Sequence, residues 1–395
     1  MKAELNAGIE NPKSKIQNPL RVLVCAGGTG GGIYPALTAA AELQKSGGEI
    51  LWVGTKGEME ETLVPRAGFP LETIRGGAIV SVPPHVMLKN GLLLGFSFFK
   101  AIGILRRFRP DVMFMTGGYM SAPVTLAARL LGVPICIFLP DVEPGSSIKF
   151  ALPHAQKVAA ASADSAAFLP AEKLVVTGYP VRAELRQAVQ MSRAEALSRF
   201  NLTETRPCLF VFGGSRGSWN INQALMTCLP DVLADFQVIH VSGSLTWDKV
   251  AAFAQTLPAG LRAFYRPYPY LHEEMGAAYR AADLVVARAG ASMIGESPAF
   301  AVPAILVPLA WAWRYQKVNA DFLTNQGAAV QLTDEELPEN LLPTVRRLLG
   351  DAEKLAQMRT AAQALDKPGA VNRLADVIRE VGRGEPAATA VGADS

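Results

Sequence analysis

Two glycine-rich turns are the features of this chain best suited to bind a charged ligand. The first, residues 27–32, reads G-G-T-G-G-G, and the second begins at Gly213 and Gly214; each follows an apolar run and precedes a helix-forming run. Such a turn presents unpaired backbone N–H groups at the positive end of a helix dipole, with no Cβ in the way. Neither turn is a P-loop or a clear dinucleotide fingerprint. Tight connections alone would explain one turn, but two matching turns favour two anionic ligands facing each other across a cleft.

A third glycine pair, Gly117 and Gly118, lies in T-G-G-Y and also follows a strand-like run. The carboxyl ends of parallel strands meet at one sheet edge, where ligands bind in such folds. We therefore expect this pair to lie beside the first turn.

Several polar residues in the second half have the chemistry to hold a sugar nucleotide. Glu296 lies one turn into a predicted helix at 293–300, where its carboxylate can accept hydrogen bonds from ribose hydroxyls or merely complement the helix dipole. Gln316 and Asn319 are three residues apart, so they share a helix face that suits sugar hydroxyls or solvent. Arg182 follows the sixth predicted strand and can meet either a nucleotide or a surface carboxylate.

The elements that must position these residues alternate between short apolar strands and Ala/Leu-rich helices. This alternation predicts βαβ units with parallel sheets, and it restarts near residue 208, with the two glycine turns in matching places. The sequence thus predicts an α/β protein with two Rossmann-like doubly wound domains facing across a cleft. The predicted strands are 21–26, 50–54, 111–116, 133–138, 157–161, 174–177, 208–213, 237–241, 284–287, 304–307 and 328–332. The predicted helices between the first strands are 35–45, 58–66 and 122–131.

Composition limits the classes of protein that fit. The chain has 395 residues, half of them hydrophobic, which suits two domains, and its net charge of +3 is too small to argue for nucleic acid. The four cysteines show no C-x-x-C spacing, which argues against a zinc site or a disulfide framework and fits a reducing compartment. We expect no signal peptide, because residues 1–20 are polar, and no membrane span.

Residues 82–110 form an apolar stretch with basic flanks. Lys100 interrupts it, and Lys89, Arg106, Arg107 and Arg109 bracket it. Such a segment suits either the headgroup layer of an anionic membrane or an amphipathic helix packed against a sheet.

Five motifs in order resemble one family. They are G-G-T-G-G-x-x-x-P-A-L, T-G-G-Y-x-S-A-P, G-x-P-V-R, G-G-S-x-G-x-x-x-x-N, and R-x-G-A-x-x-x-x-E followed by Q-x-x-N-A, spread over residues 21–382. This set resembles the MurG family of UDP-N-acetylglucosamine:lipid-linked muramoyl-pentapeptide N-acetylglucosaminyltransferases. The resemblance implies a GT-B fold and inverting transfer of N-acetylglucosamine to the 4-hydroxyl of a lipid-diphosphate-bound muramic acid. The product would be lipid II, the peptidoglycan precursor, made at the cytoplasmic face of the cell membrane by a peripheral enzyme.

The resemblance also implies roles for individual residues and segments. Residues 1–20 would be a loose arm, 21–180 the acceptor- and membrane-binding domain, 181–206 a connection, 207–366 the UDP-sugar domain, 367–383 a helix packing back on the first domain, and 384–395 a disordered tail. On the donor side the implied residues are Arg182, Ser215, His272 (through its backbone), Ala291, Ser292, Glu296, Gln316 and Asn319. On the acceptor and diphosphate side they are Gly28, Thr29, Gly30, Gly31, Gly117 and Gly118.

The chain departs from the family where the acceptor hydroxyl must lose its proton. The family usually has a histidine at the position of Gly32 and an asparagine at the position of Asp141. We therefore predict Asp141, or else Glu143, as the catalytic base, because both follow a strand at the carboxyl edge; capping of the next turn is the plainer alternative. The usual glutamines at positions 216 and 315 are Arg216 and Tyr315.

We expect no cofactor and no bound metal, because no D-x-D motif stands in a metal-binding place. Helix dipoles, hydrogen bonds and Arg216 would then neutralise the leaving diphosphate. Three rivals stay open: a related transferase with a different lipid acceptor, a UDP-sugar epimerase on the same fold, and a binding protein that has lost catalysis.

Overall fold

The computed structural model describes residues 18–77, 84–214, 216–309 and 313–384. Its first sheet has seven parallel strands in the order β3-β2-β1-β4-β5-β6-β7, and its second has six parallel strands in the order β10-β9-β8-β11-β12-β13. The strands are β1 (Arg21–Ala26), β2 (Glu49–Thr55), β3 (Leu71–Ile74), β4 (Val112–Gly117), β5 (Ile135–Leu139), β6 (Lys157–Ala160), β7 (Leu174–Val176), β8 (Cys208–Phe212), β9 (Gln237–Val241), β10 (Tyr265–Tyr268), β11 (Leu284–Ala287), β12 (Ala304–Leu306) and β13 (Ala329–Gln331).

Helices cover both faces of each sheet, as parallel sheets require. They are α1 (Gly30–Lys45), α2 (Glu60–Arg66), α3 (Pro84–Phe108), α4 (Ser121–Leu130), α5 (Ser146–Ala151), α6 (Ala183–Ala188), α7 (Arg193–Ser198), α8 (Trp219–Asp235), α9 (Trp247–Thr256), α10 (Ala259–Arg262), α11 (Met275–Ala281), α12 (Met293–Ala299), α13 (Trp313–Asn325), α14 (Leu337–Leu349), α15 (Ala352–Leu365) and α16 (Ala370–Arg383).

The structure confirms the prediction of two parallel-sheet α/β domains. It adds two strands that periodicity did not reveal, β3 and β10, and both are four-residue strands at sheet edges. Edge strands tolerate polar residues and proline, and β10 contains Pro267. Their patterns are therefore too weak to read from the sequence.

The first helix begins at Gly30, five residues before the predicted start. Thr29 is the extended residue before it, and three glycines occupy its first turn. Pro35 lies inside the helix, where it forgoes the bond to the carbonyl four residues earlier. The second half of the glycine turn, from Gly30, therefore forms the first turn of the helix.

The last helix, α16, packs against α1 and against β4, β5 and β6 of the first sheet. Arg373 anchors its start by donating from Nε to the carbonyl of Thr177, 2.9 Å away. The chain thus returns to the first domain after completing the second. The arm before residue 18 and the tail after residue 384 lie outside the described residues.

Candidate active site

In each sheet the strand order reverses beside a glycine turn. In the first sheet the reversal lies between β1 and β4, which lead into Gly27–Gly28 and Gly117–Gly118. In the second it lies between β8 and β11, which lead into Gly213–Gly214 and Gly290. Ligands of doubly wound sheets bind at such switch points.

One cavity of about 940 Å³ connects the two switch points. Its lining includes most of the sequence-predicted site: Gly28, Thr29, Gly30, Gly31, Gly117, Gly118, Asp141, Arg182, Ala291, Ser292, Glu296 and Gln316. Glu143, His272 and Asn319 are not among the lining residues, although Leu271, beside His272, is. Ser215 lies outside the described residues, so its placement is not described.

The glycines of the first turn serve different purposes. Gly28 has φ of +85°, and a Cβ there would meet open space, so this residue is free to face a ligand. At Gly31 a Cβ would lie 3.5 Å from the Cβ of Ala291, across the cleft in the other domain. Gly28 thus leaves room for a ligand, whereas Gly31 lies against the opposing wall.

Glu296 is a buried carboxylate that the second domain contributes to the cavity wall. Tyr279 donates a hydrogen bond to its Oε2 over 3.1 Å, and the Arg182 guanidinium lies 3.6 Å from its Oε1. Burial raises the pKa of Glu296, while the charge of Arg182 and the Tyr279 hydroxyl act in the opposite direction. The carboxylate is therefore held in one orientation at the cavity wall.

Arg182 joins the two sides of the cleft. Its guanidinium lies over the ring of Tyr34, 4.3 Å from the ring centroid, and the Tyr34 hydroxyl is 3.3 Å from that of Tyr270. Both tyrosines line the cavity, and neither was predicted. The position of Tyr34, one turn after Gly30, was the available sequence signal.

Gln316 and Asn319 share a helix but have different surroundings. Gln316 lines the cavity and accepts a hydrogen bond from the backbone N–H of Leu309 over 3.0 Å. Asn319 is fully buried, and its Nδ2 donates to Asp141 Oδ1 over 2.8 Å and to the Ala289 carbonyl over 3.1 Å. Its Oδ1 accepts the N–H of Val142 over 3.0 Å. The Asn319 amide therefore ties the loop after β5 to the loop after β11.

Asp141 lines the cavity with one oxygen engaged. Asn319 holds Oδ1, and among the described residues Oδ2 has no hydrogen-bond partner. Burial raises the pKa of Asp141, and the bond from Asn319 opposes that rise. Glu143 is instead buried outside the cavity lining, with Lys149 Nζ 3.0 Å from its Oε1. The geometry brings Asp141, and not Glu143, to the cleft.

Gly32 is packed against the neighbouring strand. A Cβ there would lie 3.1 Å from Thr116 Oγ1, and this hydroxyl donates to the Gly32 carbonyl over 2.9 Å. A side chain at position 32 would therefore require the hydrogen-bonded Thr116 hydroxyl to shift by a few tenths of an ångström.

No histidine is among the described residues that line the cavity. His240 is buried in the second domain, with Nε2 2.9 Å from Asn222 Oδ1 and Nδ1 2.7 Å from the Tyr265 hydroxyl. Burial lowers the pKa of His240 to about 3, so this ring stays neutral. The Tyr270 ring lies beside that of His272, with centroids 4.5 Å apart.

Two parallel-sheet domains whose glycine turns face each other across a cleft have the GT-B fold. The glycosyltransferase family 28 N-terminal domain matches residues 22–160, and the family 28 C-terminal domain matches residues 208–374. Two similar proteins come from Roseiflexus sp. (35% identical; 90% of this chain, 94% of theirs) and Desulfitobacterium hafniense (37%; 91% and 98%). Both are named UDP-N-acetylglucosamine--N-acetylmuramyl-(pentapeptide) pyrophosphoryl-undecaprenol N-acetylglucosamine transferase. The chain belongs to this family, the MurG transferases.

The solved structures agree with this assignment. The crystal structure of Acinetobacter baumannii MurG matches with a TM-score of 0.74 and 27% identity, covering 92% of this chain and all of that one. The UDP-GlcNAc 2-epimerase of Neisseria meningitidis bound to UDP-GlcNAc matches with a TM-score of 0.64 at 13% identity, over 91% of this chain and all of that one. At that identity the likeness extends to the fold alone.

Proposed function

We propose that this protein transfers N-acetylglucosamine from UDP-N-acetylglucosamine to the 4-hydroxyl of lipid-diphosphate-linked N-acetylmuramoyl-pentapeptide, with inversion. The observation that carries the proposal is the single cleft that joins both switch points in a chain about 35% identical to transferases of that name. The product is lipid II. An epimerase is disfavoured, because the epimerases share only the fold.

The second domain binds the donor. Glu296, oriented by Tyr279 and Arg182, accepts hydrogen bonds from the two ribose hydroxyls, as a carboxylate with two oxygens can. Ala291 and Ser292, in the turn before α12, face the nucleotide, while Gln316 reaches the sugar. Ser215 and the backbone near His272 complete the predicted set, for the diphosphate and the uracil.

The first domain binds the acceptor diphosphate at two adjacent turns. Gly28 and Thr29 lead into α1, which begins at Gly30, while Gly117 ends β4 and Gly118 follows it. All five residues line the cavity. Backbone N–H groups at the start of α1 and the positive end of its dipole favour a diphosphate. The Asn319 amide of the predicted donor set is engaged by Asp141, Val142 and Ala289, so its contact with the sugar stays a prediction.

Asp141 acts as the general base. The acceptor oxygen attacks C1 of the donor sugar as the bond from C1 to UDP breaks, and the acceptor proton passes to Asp141 Oδ2. Burial raises the pKa of this carboxyl, which makes it a stronger base than an exposed aspartate. Arg216, which lines the cleft, stabilises the charge that develops on the leaving diphosphate without a role for bound metal.

The face formed by α3 rests on the cytoplasmic surface of the membrane. Ala101, Ile104 and Leu105 of this helix are buried, whereas Phe96 and Phe99 are 75% and 71% exposed. Exposed aromatic residues on a helix that ends in Arg106 and Arg107 suit an anionic headgroup layer. No helix within the described ranges is long and apolar enough to cross a bilayer.

The test is transfer of labelled N-acetylglucosamine to the lipid-linked acceptor. We expect Glu296→Ala to weaken UDP-N-acetylglucosamine binding, and Asp141→Asn to lose about 10²- to 10⁴-fold in kcat while still binding donor. Glu143→Gln is the matched control, a nearby buried acid outside the cavity lining, and it keeps its turnover. Full turnover by Asp141→Asn would exclude Asp141 as base, and no transfer by the unmodified protein would exclude the proposed reaction.

A further inference from the structure

Glu60 is a buried acid that the proposed chemistry does not use. It begins α2 and is 1% exposed, and it forms no ion pair within the ranges that the structure describes. Its Oε2 is shielded from solvent and has no hydrogen-bond partner there. Charged side chains are seldom fully buried without a partner, so this position needs an explanation.

Two glycines make the room that the Glu60 side chain occupies. A Cβ on Gly27 would lie 1.8 Å from Glu60 Oε1, and a Cβ on Gly54 would lie 2.9 Å from Glu60 Cβ. Real side chains do not reach such distances, so an alanine at either position would require the buried Glu60 side chain to move. At Gly28, by contrast, the space is open. Glu60 therefore occupies the space behind Gly27 where a side chain at that position would begin.

The backbone around the first turn also affects the ionisation of the Glu60 carboxyl. Burial raises the pKa of this carboxyl, while the backbone N–H groups of Glu60, Thr55 and Gly28 act in the opposite direction. A gap of about 10 Å³ adjoins it and is lined by residues of both acceptor-side turns, including Gly28, Gly117 and Gly118. The carboxyl thus lies directly beneath the surface that faces the cleft.

We propose that Glu60 is a positioning residue that sets the conformation of the acceptor-binding turn. By filling the space behind Gly27, the Glu60 side chain determines which backbone donors the turn directs into the cleft. The proposal rests on the proposed function, because the acceptor diphosphate is assigned to this turn. It predicts that Glu60 acts on the acceptor and not on the donor, whose residues lie in the other domain and at Arg182.

The experiment compares Gly27→Ala, Glu60→Ala and the double variant in the full-length protein, with KM for the lipid acceptor and for UDP-N-acetylglucosamine. We expect each single variant to raise the acceptor KM by about tenfold or more and to leave the donor KM within about threefold. The double variant should be no worse than Glu60→Ala, because the alanine at 27 then occupies the vacated space. Glu60→Gln, which keeps the shape, should keep the acceptor KM within about threefold.

Gly28→Ala is the control, because its positive φ makes an alanine strained whatever residue stands at 60. Removal of Glu60 should therefore not rescue it. If Gly27→Ala does not fold alone, recovery of folded protein by adding Glu60→Ala supports the same conclusion. Additive losses in the double variant, or a donor KM that rises as much as the acceptor KM, would overturn the proposal. Failure of the unmodified protein to transfer to the lipid acceptor would instead overturn the proposed function.

Discussion

Replacing Asn319 by alanine tests whether its amide both links the two domains and lowers the pKa of Asp141, the proposed base. The substitution removes three hydrogen bonds of 2.8 to 3.1 Å, one of them to the Asp141 carboxyl. A neutral hydrogen bond contributes about 1 kcal/mol and one to a charged group about 1.5–3 kcal/mol, so we expect a loss of about 3–5 kcal/mol in the free energy of unfolding. The measurement is the shift in the midpoint of urea-induced unfolding, converted to a free energy with the slope of the transition.

The same variant changes the pH dependence of transfer in a defined direction. The bond from Asn319 lowers the pKa of Asp141, so its removal raises that pKa further. In the proposed mechanism the ionised carboxylate of Asp141 is the active form, so we expect the acid limb of the kcat profile to move to higher pH.

Lys317→Ala is the matched control for both measurements. It lies on the same helix and is exposed, and within the described part of the chain its one ion pair is with Asp321, four residues away. Such a pair contributes about 0.3–0.5 kcal/mol, so neither stability nor the acid limb should change much. An acid limb that stays in place in Asn319→Ala, in protein that still folds, would refute the view that Asn319 adjusts the base.

Three further variants test separate parts of the molecule. Phe96→Ser combined with Phe99→Ser should reduce binding to anionic liposomes in a flotation assay, while transfer to a detergent-solubilised acceptor is unchanged. Liposome binding equal to that of the unmodified protein would contradict the proposed membrane face. Arg216→Gln should lower kcat by about tenfold, roughly 1.4 kcal/mol, at unchanged thermal stability, and an unchanged kcat would remove Arg216 from the chemistry. Asn222→Ala leaves the buried His240 Nε2 without its partner and removes one of the two hydrogen bonds to the Ser242 carbonyl, which keeps that from Thr246. It should cost about 2–4 kcal/mol in the free energy of unfolding by urea, and a cost below about 1 kcal/mol would contradict that network.

The sequence predicted the strand–helix alternation, and most of the site residues that it predicted line the cleft, because both depend on local signals. It did not predict the environment of Asn319. A separation of three residues places the side chains of Gln316 and Asn319 about 60° apart around the helix axis. This angle is enough for Gln316 to reach the cavity while Asn319 contacts the opposing domain. The packing between the two domains decides which of these residues reaches the cavity, and the spacing of residues along one helix does not encode that packing.

Asp141 and Glu143 show the same limit. Both follow β5 and both are acids, so the sequence offered no reason to separate them beyond their alignment with the family. The structure separates them, because Asn319 holds Asp141 at the cavity while Lys149 holds Glu143 away from it. Asn319 lies on α13 and Lys149 on α5, and only the folded chain shows which of the two acids each helix contacts.

By itself, the sequence determined that glycines stand between strand and helix at three places, and hence where phosphate-binding turns could form. Turn chemistry is local, so this much was readable from residue types and spacing. Only the tertiary structure decided what each glycine is for: Gly28 faces open space, Gly27 accommodates Glu60, Gly31 meets Ala291, and Gly32 packs on Thr116. The glycines differ in this way because the groups around each of them come from segments that are distant in the sequence. Close packing of such segments is a property of the folded chain.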